Sequence, residues 1–315
     1  MSVRQTPAVG FTVGVCASDS ARNLGGLIQT IQDETPPPGL ALARIVVVAS
    51  GCPPSVLSEV EGLAREDHRV LVLGEEQRKG KIEAINQIIR HNEGVYLVLV
   101  NSDATPARGS ISTLLQEIHS GGDIGSVSAL PVLPSRDSTT QKVLELMWTA
   151  HNVSAAELNH AGLSNHNCDE LMVVRSNLLS ELPTDVVNDG AYIGGMVYSK
   201  GYRIIFAKGS RVGIDTPTRI SDLVQQRRRI LFGHAQVWRN LGRAPRTVES
   251  LMLTNPRLAM RLLGKVLASR PDLVAVLPLA LVTEATSGVL SILDRALSPR
   301  RHVVWTRYGG PSNAQ

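Results

Sequence analysis

An acidic residue at the end of an apolar run is the feature of this sequence with the most direct chemical use. Asn101-Ser102-Asp103 closes the run at residues 96–101 (YLVLVN), which is predicted to be a buried strand. A carboxylate there could hold Mg²⁺ or Mn²⁺, which prefer oxygen ligands and often combine one or two carboxylates with phosphate oxygens. A simple turn role before Thr105 is the alternative. We predict that Asp103 binds the cation.

Two groups of basic residues could hold phosphates. The KGK sequence that ends at Lys81 begins a predicted helix at residues 80–91, whose first-turn amides suit a phosphate group; lysines at helix starts are otherwise solvated. The second group is QQRRR at residues 225–229. Three successive arginines fan across about 200° of a helix, so only one or two could clamp a diphosphate.

Alternating apolar and amphipathic stretches must position these residues. Continuous apolar strands that alternate with helices predict an α/β fold with a mostly parallel sheet covered on both faces. Ligands of such sheets bind beyond the carboxyl ends of the strands, so the residues after strands one, two and four are expected to meet. The predicted strands are 11–17, 44–49, 69–73 and 96–101, and the helices between them are 21–32, 54–65 and 80–91.

The second half of the chain becomes helical. Predicted strands at 125–129, 171–174 and 203–206 are interspersed with helices at 140–152 and 189–199, and helix dominates from residue 221 to a last strand at 302–306. The apolar run 273–283 is only about half as long as a bilayer requires. A packing helix is the favoured interpretation. An in-plane membrane helix beside four basic residues is the alternative: Arg257, Arg261, Lys265 and Arg270.

Composition excludes several classes of protein. With 43% hydrophobic and 19% charged residues, the chain can build a large core and is not disordered. Its three cysteines are widely spaced (Cys16, Cys52, Cys168), which argues against a disulfide scaffold or a thiolate zinc site and favours the cytoplasm. Residues 241–315 carry ten Lys or Arg against four Asp or Glu, so an anionic partner such as the inner membrane face is expected for this segment. An aromatic fraction of 3% argues against nucleic acid.

Several motifs, taken in order, resemble family 2 glycosyltransferases with a GT-A (Rossmann-like) fold. They are VVVASGC (46–52), RKGKIEAIN (78–86), VLVNSDATP (98–106), NDGAYIGG (188–195) and QQRRRILFGH (225–234), together with VGVCASDSARNL near the start. The similarity is strongest to a subgroup with SGC and QRRRI-GH signatures, and it covers about residues 13–238. It implies that a sugar passes from a nucleoside diphosphate donor, by default a uridine diphosphate sugar, to an acceptor hydroxyl with inversion at the anomeric carbon and with Mg²⁺ or Mn²⁺.

The resemblance also implies roles for individual residues. It assigns donor binding to Ala17, Asp19, Ser50, Lys81, Asn101, Ser102, Gln225, Arg228 and Arg229. Because the family pattern takes Arg228 and Arg229 from the run of three arginines, Arg227 is expected to be solvated. The acceptor side falls to Trp148, His151 and His234, although core packing is the commoner role for a helical Trp or a lone His beside Ile. Asp19 could instead cap the helix that follows it. The acceptor itself, whether a lipid, a glycan or a small metabolite, is not specified by these motifs.

Two departures from the family pattern concern the acids. The family's Asp-x-Asp motif has Asn101 in its first place, and the E-D-x-x-L motif aligns with Asp189-Gly190, so Gly190 stands where the family has its general base. Asp189 is the nearest carboxylate and is our predicted base; the alternative is that it caps the helix after Asn188.

The departures leave two other functions open. The chain could be a nucleotide-sugar-binding protein that has lost catalysis. It could also be a sugar-phosphate nucleotidyltransferase, although residues 18–26 (SDSARNLGG) match that class's Gly-rich loop poorly. The expected organisation is a GT-A domain over residues 1–240, with a nucleotide-sugar half to about 130 and an acceptor half beyond it, followed by a basic, mainly helical segment over 241–315.

Overall fold

The computed structural model describes residues 8–18 and 23–304 of the 315-residue chain. In this described part an eight-stranded sheet has helices on both faces and further helices at the C-terminal end. The strands are β1 (Val9–Ser18), β2 (Leu40–Ser50), β3 (Val70–Glu75), β4 (Tyr96–Asn101), β5 (Thr105–Pro106), β6 (Ile124–Val132), β7 (Leu171–Arg175) and β8 (Arg203–Gly213). The helices are α1 (Leu24–Gln32), α2 (Pro54–Glu66), α3 (Lys81–Arg90), α4 (Ser110–Ser120), α5 (Thr139–His160), α6 (Asp189–Ser199), α7 (Ile220–Leu241), α8 (Val248–Thr254), α9 (Pro256–Ser269) and α10 (Leu277–Leu297).

The sheet is mixed, with strand order β3-β2-β1-β4-β7-β6-β8-β5. The first four strands are parallel, as predicted, and β6 is parallel to β8. The direction reverses at β7, whose first residue, Leu171, pairs with Val100 near the carboxyl end of β4. Because β7 runs backward, the loop that precedes it lies at the same sheet edge as the carboxyl ends of β1, β2 and β4. This reversal brings a segment from the middle of the chain to the crevice.

Both faces of the central strands are buried, which explains their continuous apolar sequence. In β2, Ile45 and Val47 pack with α1, α2 and α4 on one face, whereas Val46 and Val48 pack with α3 and α6 on the other. All four side chains are fully buried. Side chains alternate along a strand, so a helix layer on each side is needed to cover such a run.

The C-terminal helices are attached through buried ion pairs of α7. Asp294 of α10 is 3% exposed and binds Arg228, and it also contacts Nε2 of His302 at 2.7 Å. Arg227 pairs with Glu249 of α8 at 2.7 Å and with Glu284 of α10 at 2.6 Å. These charged side chains, together with an apolar cluster between α5, α9 and α10, hold the segment against the sheet domain.

Most predicted elements are present, with boundary differences. The predicted helix at 140–152 extends to His160, and the predicted strand at 203–206 extends to Gly213. Helix α4 and the short strand β5 were missed. The last predicted strand was wrong for residues 302–304, which form turns and bends, because His302 turns inward to Asp294 rather than pairing with the sheet.

The buried acid of α10 should contribute strongly to stability. Replacing Asp294 by Ala strands the Arg228 guanidinium in the interior, so we expect the free energy of unfolding to fall by about 3–5 kcal/mol. Urea denaturation followed by circular dichroism measures the change. Asp272→Ala, which removes an exposed partner of Arg270, is the control and should cost no more than about 1 kcal/mol. Equal losses in the two variants would contradict this account of the attachment.

Candidate active site

The crevice beyond β1, β2 and β4 contains a cavity of about 120 Å³. Seven residues predicted to contact the donor or its cation meet at its wall: Ala17, Ser50, Lys81, Asn101, Ser102, Asp103 and Arg229. Ser50 also donates to Oε2 of Glu75 at 2.7 Å, which orients it at the crevice floor. Asp19 lies outside the described residues. The sheet therefore gathers the predicted donor-binding residues into one place.

A larger cavity of about 260 Å³ adjoins the first one. Its walls are α5, α7, the loop at residues 164–170 and the start of α8 at Val248 and Glu249. Four residues line both cavities: Lys81, Asn101, Asp103 and Arg229. Trp148, His151 and His234, predicted for the acceptor side, all line the larger cavity. If each cavity held one molecule, the two molecules would come into contact beside these four shared residues.

The glycine before Lys81 permits the start of α3. Gly80 has φ +105°, in the left-handed region that favours glycine. A Cβ built on Gly80 would lie 2.8 Å from the carbonyl oxygen of Val303, so a larger residue would also collide with the C-terminal segment. Lys81 is then the first residue of α3 and lies where the amides of its first turn are available to an anion.

Lys81 is held between two carboxylates. Its Nζ lies 3.0 Å from Oδ2 of Asp169 and 2.9 Å from Oδ2 of Asp189. Burial favours the neutral amine, but the two carboxylates outweigh it and raise the pKa of Lys81 above its usual value, so the ammonium persists at neutral pH. The lysine predicted to bind phosphate also neutralises two acids, of which Asp189 is buried and Asp169 is partly exposed.

Asp189, our predicted base, is buried behind this lysine. It is 2% exposed, and the cap of α6 is not Asp189 but Asn188, whose side chain accepts from the amide of Ala191 at 3.0 Å. Burial raises the pKa of Asp189, with Lys81 opposing. Asp189 does not line the larger cavity as described, whereas Asn188 and Asp169 do. Its position is that of a partner for Lys81, which separates it from an acceptor in the cavity.

Asp169 occupies the space that a side chain at position 190 would need. A Cβ built on Gly190 would lie 2.7 Å from the Cβ of Asp169 and 3.1 Å from its amide nitrogen. The carbonyl oxygen of Asn167 would lie almost as close, at 2.9 Å, so an acid at position 190 requires the backbone of this loop to move as well as the Asp169 side chain. Burial acts in the opposite direction, but Lys81 lowers the pKa of Asp169 below its usual range. An ionised carboxylate therefore faces the cavity from the place where the family has its base.

Glu170 places a carboxyl group next to Asn101, the residue that stands where the family motif has its first acid. The Asn101 amide donates to Oε2 of Glu170 at 2.8 Å, so a carboxylate stands next to the residue that lacks one. Burial, with the charges of Asp169 and Asp103, raises the pKa of Glu170 to about 8. Without a cation, most Glu170 carboxyl groups therefore hold a proton at neutral pH, and a bound cation would favour the ionised form.

The carboxylates in this corner could bind a divalent cation jointly with the phosphate oxygens of a donor. Among the described residues, no group of three His, Cys, Asp or Glu side chains comes together as a metal site, so an all-protein cage is not built there. Asp103 offers a carboxylate to both cavities, and Glu170 adds a second one beside Asn101. Magnesium and manganese commonly use such incomplete sites, with phosphate oxygens as the other ligands.

The arginines of α7 are divided among three functions. Arg229 lines both cavities and donates to the carbonyl of Val187 at 3.1 Å. Arg228 does not reach the crevice, because Asp294 holds it at α10. Arg227 is not solvated as predicted; it is buried between Glu249 and Glu284 and lines the larger cavity. Gln225 is exposed, and Gln226 lines the cavity instead.

Three histidines form a row along the larger cavity. The ring centroids of His151 and His166 are 5.7 Å apart, and those of His166 and His234 are 5.4 Å apart. Trp148 extends the row, 5.2 Å from His151. Burial lowers the pKa of His151 and His166 to about 3 and that of His234 to about 4. At neutral pH these rings are uncharged hydrogen-bonding groups.

Sequence reasoning missed Asp169, Glu170 and His166. One signal was available: the acids come directly before the predicted strand at 171–174, where they would lie at the crevice if that strand were antiparallel. Nothing in a single sequence states the direction of the strand. His166 lies in a loop, and only the folded chain brings His151 of α5 and His234 of α7 to either side of it.

The histidine row should make stability depend on pH. Unfolded imidazoles bind protons below about pH 6.5, whereas the folded ones do so only near pH 3–4. The unfolded state therefore binds more protons as pH falls from 6.5 toward 4.5, and the free energy of unfolding should decrease by up to about 1.4 kcal/mol per pH unit for each histidine. Above pH 6.5 this contribution is complete and constant.

Thermal unfolding between pH 7 and pH 4.5 tests this dependence. His166→Asn keeps a polar side chain but cannot titrate, so its melting temperature should fall less steeply with acid than that of the parent. His68→Asn, which alters an exposed turn residue outside the cavity, is the control and should retain the parental slope. An unchanged slope in His166→Asn would mean that the ring is already protonated in the folded state.

Comparisons with known proteins agree with this architecture. The fold is similar to the mannosyltransferase PcManGT from Pyrobaculum calidifontis in complex with GDP-Man and Mn²⁺, with 20% identity, TM-score 0.66, and coverage of 93% of this chain and 88% of that one. It is also similar to GalNAc-T7 with UDP, GalNAc and Mn²⁺, with 13% identity, TM-score 0.50, and coverage of 78% and 57%. At such identities the likeness concerns the GT-A fold alone.

Sequence comparison supplies the family. No curated protein matches the chain. The model of the family described as glycosyl transferase family 2 matches residues 12–182, more than half of the sequence. That region contains β1 to β7, with Lys81, Asp103 and the acids before β7. The chain belongs to glycosyltransferase family 2.

Proposed function

We propose that this glycosyltransferase moves a sugar from a nucleoside diphosphate sugar to an acceptor hydroxyl in one displacement, with inversion at the anomeric carbon and dependence on Mg²⁺ or Mn²⁺. The observation that carries the proposal is the meeting of two cavities at Lys81, Asn101, Asp103 and Arg229. A donor in the smaller cavity and an acceptor in the larger one would place the anomeric carbon at this junction, in line with the departing diphosphate.

The donor's diphosphate is assigned to the cationic side of the junction. Lys81 and Arg229 line both cavities, and the guanidinium of Arg229 can bind two phosphate oxygens at once. Because Arg228 is committed to Asp294, it is no longer part of the proposal. The nucleobase would contact the crevice at Ala17 and Ser50. The family resemblance makes a uridine diphosphate sugar the default donor, and the similar mannosyltransferase was solved with GDP-Man, so both donors belong in the assay.

The cation is assigned to Asp103, with Glu170 as the nearby second carboxylate. When bound, Mg²⁺ or Mn²⁺ would neutralise the charge that grows on the departing nucleoside diphosphate. Asn101 keeps Glu170 in place through its 2.8 Å hydrogen bond. Lys81 and Arg229 would share the stabilisation of that same charge from the opposite side.

The proton of the acceptor is assigned to Asp169 rather than to Asp189. As the acceptor oxygen bonds to the anomeric carbon, the bond from that carbon to the diphosphate oxygen breaks and its electron pair leaves with the diphosphate. The hydroxyl proton would pass to the carboxylate of Asp169, which lines the acceptor cavity. Because Lys81 faces both cavities, donor phosphates that attract its ammonium would make Asp169 a stronger base.

A cytoplasmic location, predicted from the use of cysteine, stays a prediction.

Two alternative functions, a binding protein that has lost catalysis and a nucleotidyltransferase, can be separated by assays. A binding protein would bind nucleotide sugars and turn over none with any acceptor. A nucleotidyltransferase would consume a nucleoside triphosphate and release pyrophosphate, whereas the proposed reaction releases a nucleoside diphosphate.

Removal of the Asp103 carboxylate should abolish metal-dependent turnover. We expect Asp103→Asn to lower nucleoside diphosphate release by 10²-fold or more, on the order of several kcal/mol in the barrier. A coupled assay for UDP and GDP, with and without Mn²⁺, measures the rate. Asp123→Asn changes an exposed acid just before β6, at the opposite sheet edge, and should retain activity. Undiminished turnover by Asp103→Asn would remove the metal assignment.

Moving the carboxylate between positions 169 and 190 tests the base. Asp169→Gly should lower the rate on the order of 10²–10⁴-fold. Gly190→Asp alone should be destabilised by the 2.7 Å contact with Asp169. The double variant Asp169→Gly/Gly190→Asp removes the side-chain contact and returns an acid to α6, but the 2.9 Å contact with the Asn167 carbonyl remains. We therefore expect it to recover only a small part of the parental rate, and more than Asp169→Gly alone.

Asp189→Asn distinguishes the two acids that flank Lys81. If Asp189 only positions the lysine, this variant should bind the donor more weakly, which raises the KM for nucleotide sugar, while kcat falls less than in Asp169→Gly. A variant Asp189→Asn that loses turnover completely, beside an Asp169→Gly variant near the parental rate, would return the base to Asp189.

A further inference from the structure

Helix α10 has its polar side chains inside and its apolar side chains outside. Its buried residues include small polar ones and an acid, spaced about one helical turn apart: Thr283, Ser287, Ser291 and Asp294. Its outward residues are large and apolar, each about half exposed or more: Leu281, Val282, Val289, Ile292, Leu293 and Leu297. A helix on the surface of a soluble domain has the reverse arrangement. The outward face of α10 therefore suits a medium other than water.

The buried contacts of α10 prevent the helix from rotating about its axis to bury its apolar face. Glu284 and Asp294 pair with Arg227 and Arg228 of α7, and the Ser287 hydroxyl donates to the Val224 carbonyl at 3.2 Å. Rotation of the apolar face inward would strand these charges and break the hydrogen bond. The exposure of the apolar face is thus imposed by the ion pairs beneath it.

The apolar face is long, and the two preceding helices of the same segment also carry exposed apolar side chains. From Leu281 to Leu297 it extends about 24 Å along the helix. Leu253 of α8 and Met260 of α9 are 80% and 57% exposed. The helical stretch Pro271–Leu297 is long and apolar enough to cross a membrane by length and composition, but Glu284 and Asp294 anchor its other side to α7. This arrangement suits a helix that lies in the membrane plane.

The charges around the face are almost all positive. Of the four acids between residues 241 and 315, Glu249, Glu284 and Asp294 are engaged with Arg227 and Arg228 in the interior, and the fourth pairs with Arg270. Four exposed basic side chains of α9, of the end of α10 and of the turn just after it enter none of the ion pairs observed in the described chain: Arg257, Arg261, Arg295 and Arg300. Two copies of this face would bring positive charge against positive charge, which disfavours self-association.

We infer that α9 and α10 form a docking face for an anionic lipid bilayer. The apolar side chains of α10 would enter the boundary between headgroups and acyl chains, while the arginines contact acidic headgroups. Burial of the apolar area and attraction to the headgroups act together, so binding requires both. The inference concerns a surface separate from both cavities and does not depend on which donor or acceptor the enzyme uses.

Vesicle flotation with the full-length protein tests the inference. We expect the parent to float with vesicles of phosphatidylcholine and phosphatidylglycerol, and to float poorly with phosphatidylcholine alone or at high salt. Val289→Ser/Ile292→Ser and Arg257→Gln/Arg261→Gln should each weaken binding to the anionic vesicles roughly tenfold or more. Val95→Ser removes an equally exposed valine, at 53%, from the loop before β4 and should bind as the parent does.

Three results would overturn the inference. One is failure of the parent to float with anionic vesicles, and another is parental binding by both double variants. The third is a parent that is dimeric in light scattering without lipid and becomes monomeric in Val289→Ser/Ile292→Ser, which would assign the face to a second copy. Because outward serines leave the ion pairs of α10 intact, circular dichroism and melting temperature should match those of the parent. If the parent showed no turnover of a nucleotide sugar, that result would count against the proposed function and not against the binding of lipid.

Discussion

The pairing of Lys81 with the buried Asp189 and the partly exposed Asp169 is the interaction on which the site depends. Asp169 comes from the loop before β7, Asp189 from the start of α6, and Lys81 from the start of α3. Each of these charges would be costly to bury alone, because a low-dielectric interior does not compensate the loss of hydration. Together they fix three separate segments at the carboxyl edge of the sheet. The same lysine faces the donor cavity, so the structural ion pair and the proposed phosphate contact share one ammonium group.

Two departures from the family motifs have spatial substitutes in adjacent residues. Asn101 lacks a carboxylate and has Glu170 at 2.8 Å; Gly190 lacks one and leaves its space to Asp169. Both substitutes lie in one short loop, which reaches the crevice only because β7 runs antiparallel to β4. Motif comparison alone suggests an impaired enzyme, whereas the geometry supplies acids at both places. This is why we favour catalysis over simple binding of a nucleotide sugar.

Helix α7 joins the site to the C-terminal segment through three consecutive arginines. Arg229 serves the crevice, Arg227 binds Glu249 and Glu284, and Arg228 binds Asp294. Successive residues of a helix are about 100° apart, so the three side chains point in different directions and contact different parts of the structure. One consequence is that the acids of α8 and α10 are used internally, which leaves the outer surface of that segment apolar and basic.

The sequence by itself determined the strands and helices from β1 to β4, the position of Asp103 just after β4 and the family. Those features follow from local apolar periodicity and from short motifs, which do not depend on distant partners. Only the tertiary structure decided the direction of β7, the partners of Arg227 and Arg228, the burial of Asp189 behind Lys81 and the exposed apolar face of α10. Each of these rests on contacts between residues far apart in the chain, such as Arg228 with Asp294. Helical periodicity shows on which face of a helix a residue lies. The charged residue that pairs with it there belongs to another element, which the local sequence does not specify.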